Sequence, residues 1–288
     1  LKNYTIRRIT RVEPPYVIAM VFLFIGTIFY TNNYTTEEAI KSFFASITYT
    51  HNFIYGKQVL PLINCVAWSL EIEIQFYILA PLLSLIFTIK NKYKRRCAIL
   101  TLSIIFSVLT HYSNFSFVSI LDYLQFFLIG FLLVDLYLTV KTEKTNSALR
   151  NIFTLASLLL IFCFNIHDFS LLYQKILWDI SVLFLILILY YNVLIHKSLP
   201  ILSQKIITNI GGMCYSIYLL HFAVISFFGN PLMQFSFSNN QLINSCIYTF
   251  ILSLAILIVS TLFYLLIEQP SMDKNWPTKF KNYVKRIK

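Results

Sequence analysis

Long apolar runs dominate this 288-residue chain and restrict what it can fold into. The runs are about 16 to 25 residues long and alternate with short polar, often basic, stretches. They are too long, and alternate too little, to be strands of a membrane barrel. Because hydrocarbon offers no partner for free backbone amides, helices are the expected spanning form. The sequence therefore predicts an all-α fold, a polytopic transmembrane helix bundle.

Eight of these runs are predicted to span the membrane. Their predicted bounds are residues 14–30, 68–89, 97–112, 120–140, 151–166, 175–195, 213–229 and 242–267. Composition agrees with this prediction, since 58% of the residues are hydrophobic and only 12% are charged, half the charged share of soluble domains. We expect one integral membrane domain over residues 1–288, with a short basic cytoplasmic tail at 271–288.

Positive charge is concentrated in alternate loops. If residues 1–13 are cytoplasmic, that side holds 20 of the 23 lysines and arginines. The other segments on the same side are 90–96, 141–150, 196–212 and 268–288. By the positive-inside rule we expect a multi-pass protein of the cytoplasmic membrane, with Leu1 and Lys288 both in the cytoplasm. Topology and lipid headgroups then account for the net charge of +11, and no nucleic-acid partner is expected.

Several titratable residues are expected to have no catalytic role. The five cysteines are scattered singly, without a Cys-x-x-Cys or Cys/His cluster, so no disulfide framework and no metal site is predicted. Asp135, close to the cytoplasmic end of its span, is predicted to pair with Lys141. Four histidines lie in or beside loops and are expected to be solvated: His51, His111, His167 and His196.

Arg7, Arg8 and Arg11 form a cluster at the cytoplasmic mouth of the first predicted span. Guanidinium groups bind phosphate through two parallel hydrogen bonds, so the cluster is a candidate phosphate site. A flank that obeys the positive-inside rule has the same pattern, and position alone favours that explanation. The residues by themselves leave both interpretations open.

The string from Trp68 to Tyr77 opens the second predicted span from the outer side. Helical spacing places Ser69, Glu73 and Tyr77 on one face, one turn apart. A carboxylate in a membrane helix is costly unless it faces a cavity or a partner, and Glu73 lies beyond the first turn, where the helix dipole helps little. These residues favour a functional site over an interfacial helix end.

Two further segments contain polar residues in or beside a span. Tyr218 and His221 share a helical face, with the histidine about two to three turns inside the seventh predicted span. An intramembrane histidine is a functional candidate, although a neutral histidine bonded between helices explains it equally well. Glu268, followed by Pro270, is typical of a helix that ends in an acid before a proline.

Taken together, in this order and spacing, the four segments resemble the membrane acyltransferase type 3 family, the O-acyltransferases that modify bacterial surface carbohydrates. The Arg-x-x-Arg of that family is matched at residues 8–11. Its Trp-Ser-Leu-x-x-Glu string, continued by Gln-Phe-Tyr, is matched at 68–77. Its Tyr-Ser-x-Tyr-Leu-x-His element is matched at 215–221, and its terminal Glu-x-Pro at 268–270.

The resemblance implies transfer of an acyl group, most often acetyl, from cytoplasmic acyl-CoA to a hydroxyl of an extracytoplasmic glycan, without a metal. Acetyl-CoA is then the donor, and the glycan and membrane lipid are the partners. The resemblance implies that Arg8 and Arg11 bind the donor. The catalytic residues that it implies are Glu73, Ser69, His221 and Tyr218.

The amino end of the chain departs from the family pattern. Family members usually have ten helices, and the histidine of their first helix, thought to be essential for acyl transfer, has no counterpart here. We therefore expect an N-terminally truncated chain. Two alternatives stay open: a transporter or exporter of modified polysaccharide subunits, since polar residues in a bundle also line pathways, and an inactive truncated relative. The sequence does not predict the oligomeric state.

Overall fold

The structure is a computed structural model that describes residues 2–30, 34–112, 115–140, 148–164, 171–273 and 276. These residues form helices and no strand, which confirms the all-α prediction. Of the predicted basic tail, only 271–273 and 276 are described; the rest lies outside the described residues.

The described part of the chain contains twelve α-helices and four 3₁₀ or π-helical turns. The α-helices are α1 (Lys2–Tyr30), α2 (Thr36–Ile47), α3 (His51–Tyr55), α4 (Ala67–Leu83), α5 (Lys92–Tyr112), α6 (Leu124–Thr139), α7 (Ala148–Phe164), α8 (Leu172–His196), α9 (Lys205–Gly212), α10 (Cys214–Met233), α11 (Gln241–Phe263) and α12 (Gln269–Ser271). Three 3₁₀ turns lie at Ser84–Thr88, Ile120–Asp122 and Pro200–Ser203, and a π-helical turn at Tyr264–Glu268 joins α11 to α12.

Five helices of the described chain are long and apolar enough to cross a membrane. They are Arg7–Phe29, Ala67–Thr88, Leu172–His196, Cys214–Met233 and Gln241–Ser271. Two further apolar helices, Leu124–Thr139 and Ala148–Cys163, are shorter, and α5 begins with a basic run that lowers its hydropathy. The predicted count of eight spans is therefore not confirmed, although the membrane character is.

The chain divides into two compact units. One contains Leu1–Tyr77 together with Asn209–Lys288, and the other contains Ile78–Thr208. All the residues singled out by the four motifs fall in the first unit. The organisation as one integral membrane domain stays a prediction.

In the first unit, α2 runs back along α1. Thr35 and Glu38 form a capping box that starts α2, because each side chain accepts a hydrogen bond from the backbone N–H of the other. Near its end, the Ser46 carbonyl accepts a hydrogen bond from the hydroxyl of Tyr16, at 2.9 Å, in the middle of α1. The face buried against α1 consists of small residues, which allow close approach of the two backbones. These residues are Ala39, Ser42, Ala45 and Ser46.

Two consecutive prolines stand inside α1, and an indole N–H replaces the donor that Pro14 lacks. Pro14 has no N–H to give to the carbonyl of Thr10 four residues earlier. That carbonyl instead accepts a hydrogen bond from the indole N–H of Trp276, at 3.0 Å. The carbonyl of Val12, one turn before Tyr16, also accepts a hydrogen bond from the Tyr215 hydroxyl, at 3.1 Å. The part of α1 just before the prolines is thus fastened to two distant parts of the C-terminal region.

In the second unit, a buried carboxylate holds two arginines. Asp135 on α6 is 2% exposed, and each of its oxygens accepts a hydrogen bond of 2.6 Å, one from Nε of Arg95 and the other from Nε of Arg96. Arg96 also donates to the hydroxyl of Thr139. Lys141, the predicted partner of Asp135, lies outside the described residues. Sequence proximity favoured that lysine, whereas packing of α5 against α6 brings in arginines some forty positions away.

The expectation of solvated histidines is wrong for His51 and His111. The side chain of His51 is 2% exposed and stacks on Tyr55, with ring centroids 4.6 Å apart. Nε2 of His111 lies 2.7 Å from Oδ2 of Asp179 on α8. His196 is half-buried, and its ring packs edge-on against Tyr191. Chain position near a loop did not reveal these contacts; His167 lies outside the described residues.

We predict that Asp135→Ala lowers the free energy of unfolding by about 3 kcal/mol, because it removes the buried carboxylate and leaves the positive charges of two guanidinium groups uncompensated. The measurement is chemical unfolding of the detergent-solubilised protein. Glu37→Gln is the control, since Glu37 and Lys41 form an exposed ion pair that contributes little. Equal stability of the two variants would contradict this account of Asp135.

Candidate active site

Arg8 is held between two aromatic rings in the first unit. Its guanidinium carbon lies 5.7 Å from the ring centroid of Tyr4, one turn earlier on α1, and 5.0 Å from that of Tyr77 on α4. Guanidinium groups are attracted to aromatic faces at this range. Arg8 is itself exposed, as are Arg7 and Arg11 beside it. One of the two arginines predicted to bind the donor is therefore oriented by the same helix that carries the predicted catalytic string.

Tyr77 connects this arginine to a carboxylate. Its hydroxyl donates a short hydrogen bond to Oε1 of Glu73, one turn earlier on α4. Glu73 is half-buried, and its other oxygen, Oε2, has no hydrogen-bond partner among the described residues. A continuous series of contacts thus runs from Arg8 through Tyr77 to Glu73. At its end, Oε2 of Glu73 is free to accept a hydrogen bond.

Ser69 and Tyr218 join the start of α4 to α10. Their hydroxyl groups form a short hydrogen bond with each other. The Tyr218 hydroxyl also lies 2.6 Å from the carbonyl oxygen of Val66, to which it donates. Because Ser69 and Glu73 are one turn apart on the same helix, this pair of hydroxyls lies beside the series that ends in Glu73.

His221 presents one ring nitrogen without a partner. Its Nδ1 lies 2.9 Å from the carbonyl oxygen of Tyr218 and 3.2 Å from that of Ile217. Carbonyl oxygens only accept, so Nδ1 carries the hydrogen in this arrangement, and a neutral ring keeps the lone pair on Nε2. Nε2 has no hydrogen-bond partner in the described part of the chain, and the side chain is half-buried.

The structure therefore brings two adjoining groups together along one face of α4, Arg8 with Glu73 through Tyr77, and Ser69 with Tyr218. His221 adjoins the second group through Tyr218, with ring centroids 6.0 Å apart. From Ser69 to Tyr77 this face extends about 12 Å. Arg11 is exposed and joins neither group.

The start of α4 packs beside the start of α10. Tyr218, the partner of Ser69, lies in the second turn of α10, close to the end of that helix that Glu268 contacts. Residues 36–66, the returning segment, begin with α2 running back along α1 and lead into this start of α4. This segment has no apolar run of its own.

Glu268 is a buried residue whose structural role sequence reasoning missed. It is 1% exposed, and its Oε2 accepts hydrogen bonds from both the backbone N–H of Ser216, at 3.0 Å, and the Ser216 hydroxyl. Ser216 is the third residue of α10, so the carboxylate satisfies one of the free N–H groups at the positive end of that helix. The sequence feature that could have predicted this contact is that Ser216 and Glu268 belong to two motifs of one family pattern.

Glu71 also has a role that the spacing argument did not reveal. It is 2% exposed, and its Oε2 accepts a hydrogen bond of 2.9 Å from the backbone N–H of Asn52. The Asn52 side chain donates to the carbonyl of Trp68, at 2.9 Å, and Asn64 donates to the carbonyl of Leu219, at 3.0 Å. These bonds fasten the returning segment to α4 and α10.

The polar side chains of this unit suit acyl transfer by acid, base and hydrogen-bonding groups. No three His, Cys, Asp or Glu side chains of the described ranges converge as metal ligands would. The available groups are a guanidinium at one end, a carboxylate oxygen and an imidazole nitrogen with open lone pairs, and two hydroxyls between them.

Comparison with known proteins identifies the family. The model of the type 3 family described as "Acyltransferase domain" matches residues 1–265, most of the chain. The chain belongs to this acyltransferase family. The match confirms the resemblance that the four motifs indicated. It covers every predicted site residue from Arg8 to His221, and it ends three residues before Glu268.

Relatives of this acyltransferase-family chain occur in Staphylococcus aureus. Proteins of strains COL, MRSA252 and N315, named provisionally as O-acetyltransferases, are each 30% identical to it over 256 residues. Each alignment covers 79% of this chain and 41% of the relative. The chain thus spans about two fifths of the length of the curated relatives it matches. No solved structure matches it significantly.

We predict that Glu268→Ala lowers the free energy of unfolding by about 2 to 3 kcal/mol, because two hydrogen bonds to a charged acceptor are lost and a helix N–H is left buried. The measurement is denaturant unfolding in detergent, followed by tryptophan fluorescence. Gln269→Ala, at the exposed neighbouring position, is the matched control and should unfold like the parent. A Glu268 variant as stable as that control would show that the contact contributes little.

Proposed function

We propose that the protein is an O-acyltransferase that moves an acyl group, most simply acetyl, from acyl-CoA to a hydroxyl of an extracytoplasmic carbohydrate. Membership of the acyltransferase family supports the reaction class, and the printed names of the relatives support O-acetyl transfer. The observation that carries the proposal is the series from Arg8 through Tyr77 to Glu73, which connects a phosphate-binding group to a base.

The donor would bind at the arginine end. CoA carries phosphate groups, and a guanidinium already oriented by aromatic rings loses little freedom when it binds them. Arg8 is oriented in this way, whereas Arg7 and Arg11 add positive charge around it. Since the positive-inside rule assigns this end to the cytoplasm, the donor would come from the compartment that contains acyl-CoA. We propose the cytoplasmic membrane as its location, with both chain ends in the cytoplasm.

The transfer step requires a base, an acceptor hydroxyl and a stabiliser of negative charge. The acceptor oxygen attacks the thioester carbonyl carbon, the base takes the hydroxyl proton, and the carbon–sulfur bond breaks to release the CoA thiolate, which takes up a proton. Glu73 Oε2 or His221 Nε2 has the open lone pair that a base requires. Ser69 and Tyr218 place two hydroxyls nearby, and the Ser69 hydroxyl can donate to the developing oxyanion once it turns away from Tyr218, whose own hydrogen is donated to Val66.

The test follows radiolabelled acetyl from acetyl-CoA into carbohydrate in membranes that contain the protein expressed from its own gene. We predict that Glu73→Gln lowers kcat by about 10² to 10⁴-fold, because the amide cannot take a proton. Glu37→Gln, on the exposed face of α2, is the control and should retain full activity. Full activity in Glu73→Gln would remove this residue from the mechanism.

In the same assay Arg8→Lys tests the donor end. The lysine keeps the charge but loses the planar fork and the stacking on Tyr77, so KM for acetyl-CoA should rise while membrane insertion is unchanged. Arg7→Lys is its neighbour control.

Membranes that move carbohydrate across the bilayer without acetylating it would contradict the transferase and support an exporter.

A further inference from the structure

An apolar groove lies in the second unit, where α6 and α8 end. Its volume is about 980 Å³, within the size range of sites for small ligands. Val134 and Leu138 of α6 and Leu194 of α8 form much of its wall. These three side chains are 50%, 75% and 44% exposed, so the groove is open along the exposed surfaces of two apolar helices.

One end of this groove is polar and basic. His196, Lys197 and Ser203 line it, at the end of α8 and in the turn after it. Lys197 is exposed and has no ion pair among the described residues. Arg95 and Arg96 share the single carboxylate of Asp135, which leaves further positive charge towards the same end of α6. A ligand for this groove must therefore be apolar over most of its length and negative at one end.

Two buried polar atoms beside this end have no partner among the described residues. They are Nδ1 of His196 and Oγ of Ser198, whose side chain is 4% exposed. A buried polar atom without a hydrogen bond is costly, so such atoms indicate a missing ligand or water. The backbone is also held in an unusual shape here, since Lys197 and Leu199 both have positive φ, at 51° and 54°. The N–H of Leu199 donates to Oδ1 of Asn151, at 3.0 Å, which stabilises this turn.

We propose that this groove binds an anionic phospholipid, with acyl chains along α6 and α8 and the phosphate beside Lys197 and His196. Charge complementarity selects the headgroup, because basic pockets between membrane helices on the cytoplasmic side suit anionic lipids. The exposed apolar walls select a lipid over a soluble anion, because a soluble phosphate would leave them uncovered. The site is separate from the acyl-transfer residues and does not depend on the proposed reaction.

The test measures lipid adducts of the purified full chain by native mass spectrometry, during titration with palmitoyl-oleoyl phosphatidylglycerol or phosphatidylcholine. One lysine near a headgroup corresponds to about fivefold in affinity. We therefore predict that phosphatidylglycerol binds at least about fivefold more tightly, and that Lys197→Gln abolishes this preference. Lys205→Gln, an exposed lysine a few residues later, removes the same charge outside the groove and should keep the preference.

A second variant tests the apolar part of the groove. Gly130 lines it, and a Cβ built there meets no atom within 4 Å, so the ring of Gly130→Phe has room to occupy the space of an acyl chain. We expect it to weaken binding of both lipids, whereas Gly26→Phe, at another position with open space, should not. An unchanged preference in Lys197→Gln, an equal loss in Lys205→Gln, or displacement of the lipid by inorganic phosphate would overturn the proposal.

Discussion

A polar group that enters the apolar interior of this protein needs a partner from the protein itself, and most of the structure results from that requirement. The carbonyl of Thr10, which Pro14 leaves without its helical donor, accepts from Trp276. Glu268 accepts from both donors of Ser216, and Asn64 donates to the carbonyl of Leu219. Each bond joins elements far apart in the chain, so satisfying each group also fixes the position of a helix.

The candidate active site depends on the same bonds. The contact between Ser69 and Tyr218 fixes the start of α4 against α10, and the hydrogen bonds of Glu71 fix the returning segment against α4. With α4 held at that end, its next two turns place Glu73 and then Tyr77 towards Arg8. The chain therefore presents charged and hydroxyl groups at defined positions in an apolar environment, where electrostatic stabilisation of a transition state is most effective.

Sequence periodicity predicted the helices and the residues that share a helical face. It did not predict contacts between residues that are far apart in the chain. Apolar runs gave the helices, and a spacing of four placed Ser69, Glu73 and Tyr77 on one face. No long apolar run marks the return of α2 along α1, because its buried face consists of small residues in a helix too short to span. The arginine partners of Asp135 and the serine partner of Glu268 were equally hidden, since these pairs are separated by 39 to 52 positions. The predicted number of spans exceeds the number of helices that are long and apolar enough to cross a membrane. The start of α5, for example, is a basic run that lowers the hydropathy of that helix.

The Tyr77 hydroxyl is the atom that joins the arginine end of the site to its carboxylate, so Tyr77→Phe tests the central claim most directly. The phenylalanine keeps an aromatic face for Arg8 but cannot donate to Glu73. The measurement compares acetyl transfer with acetyl-CoA binding in membranes that contain this variant or its parent. If the residues act as one acyl-transfer site, transfer falls at least about tenfold while acetyl-CoA binds as before. Transfer at the parent rate would contradict the account, and so would a loss confined to acetyl-CoA binding.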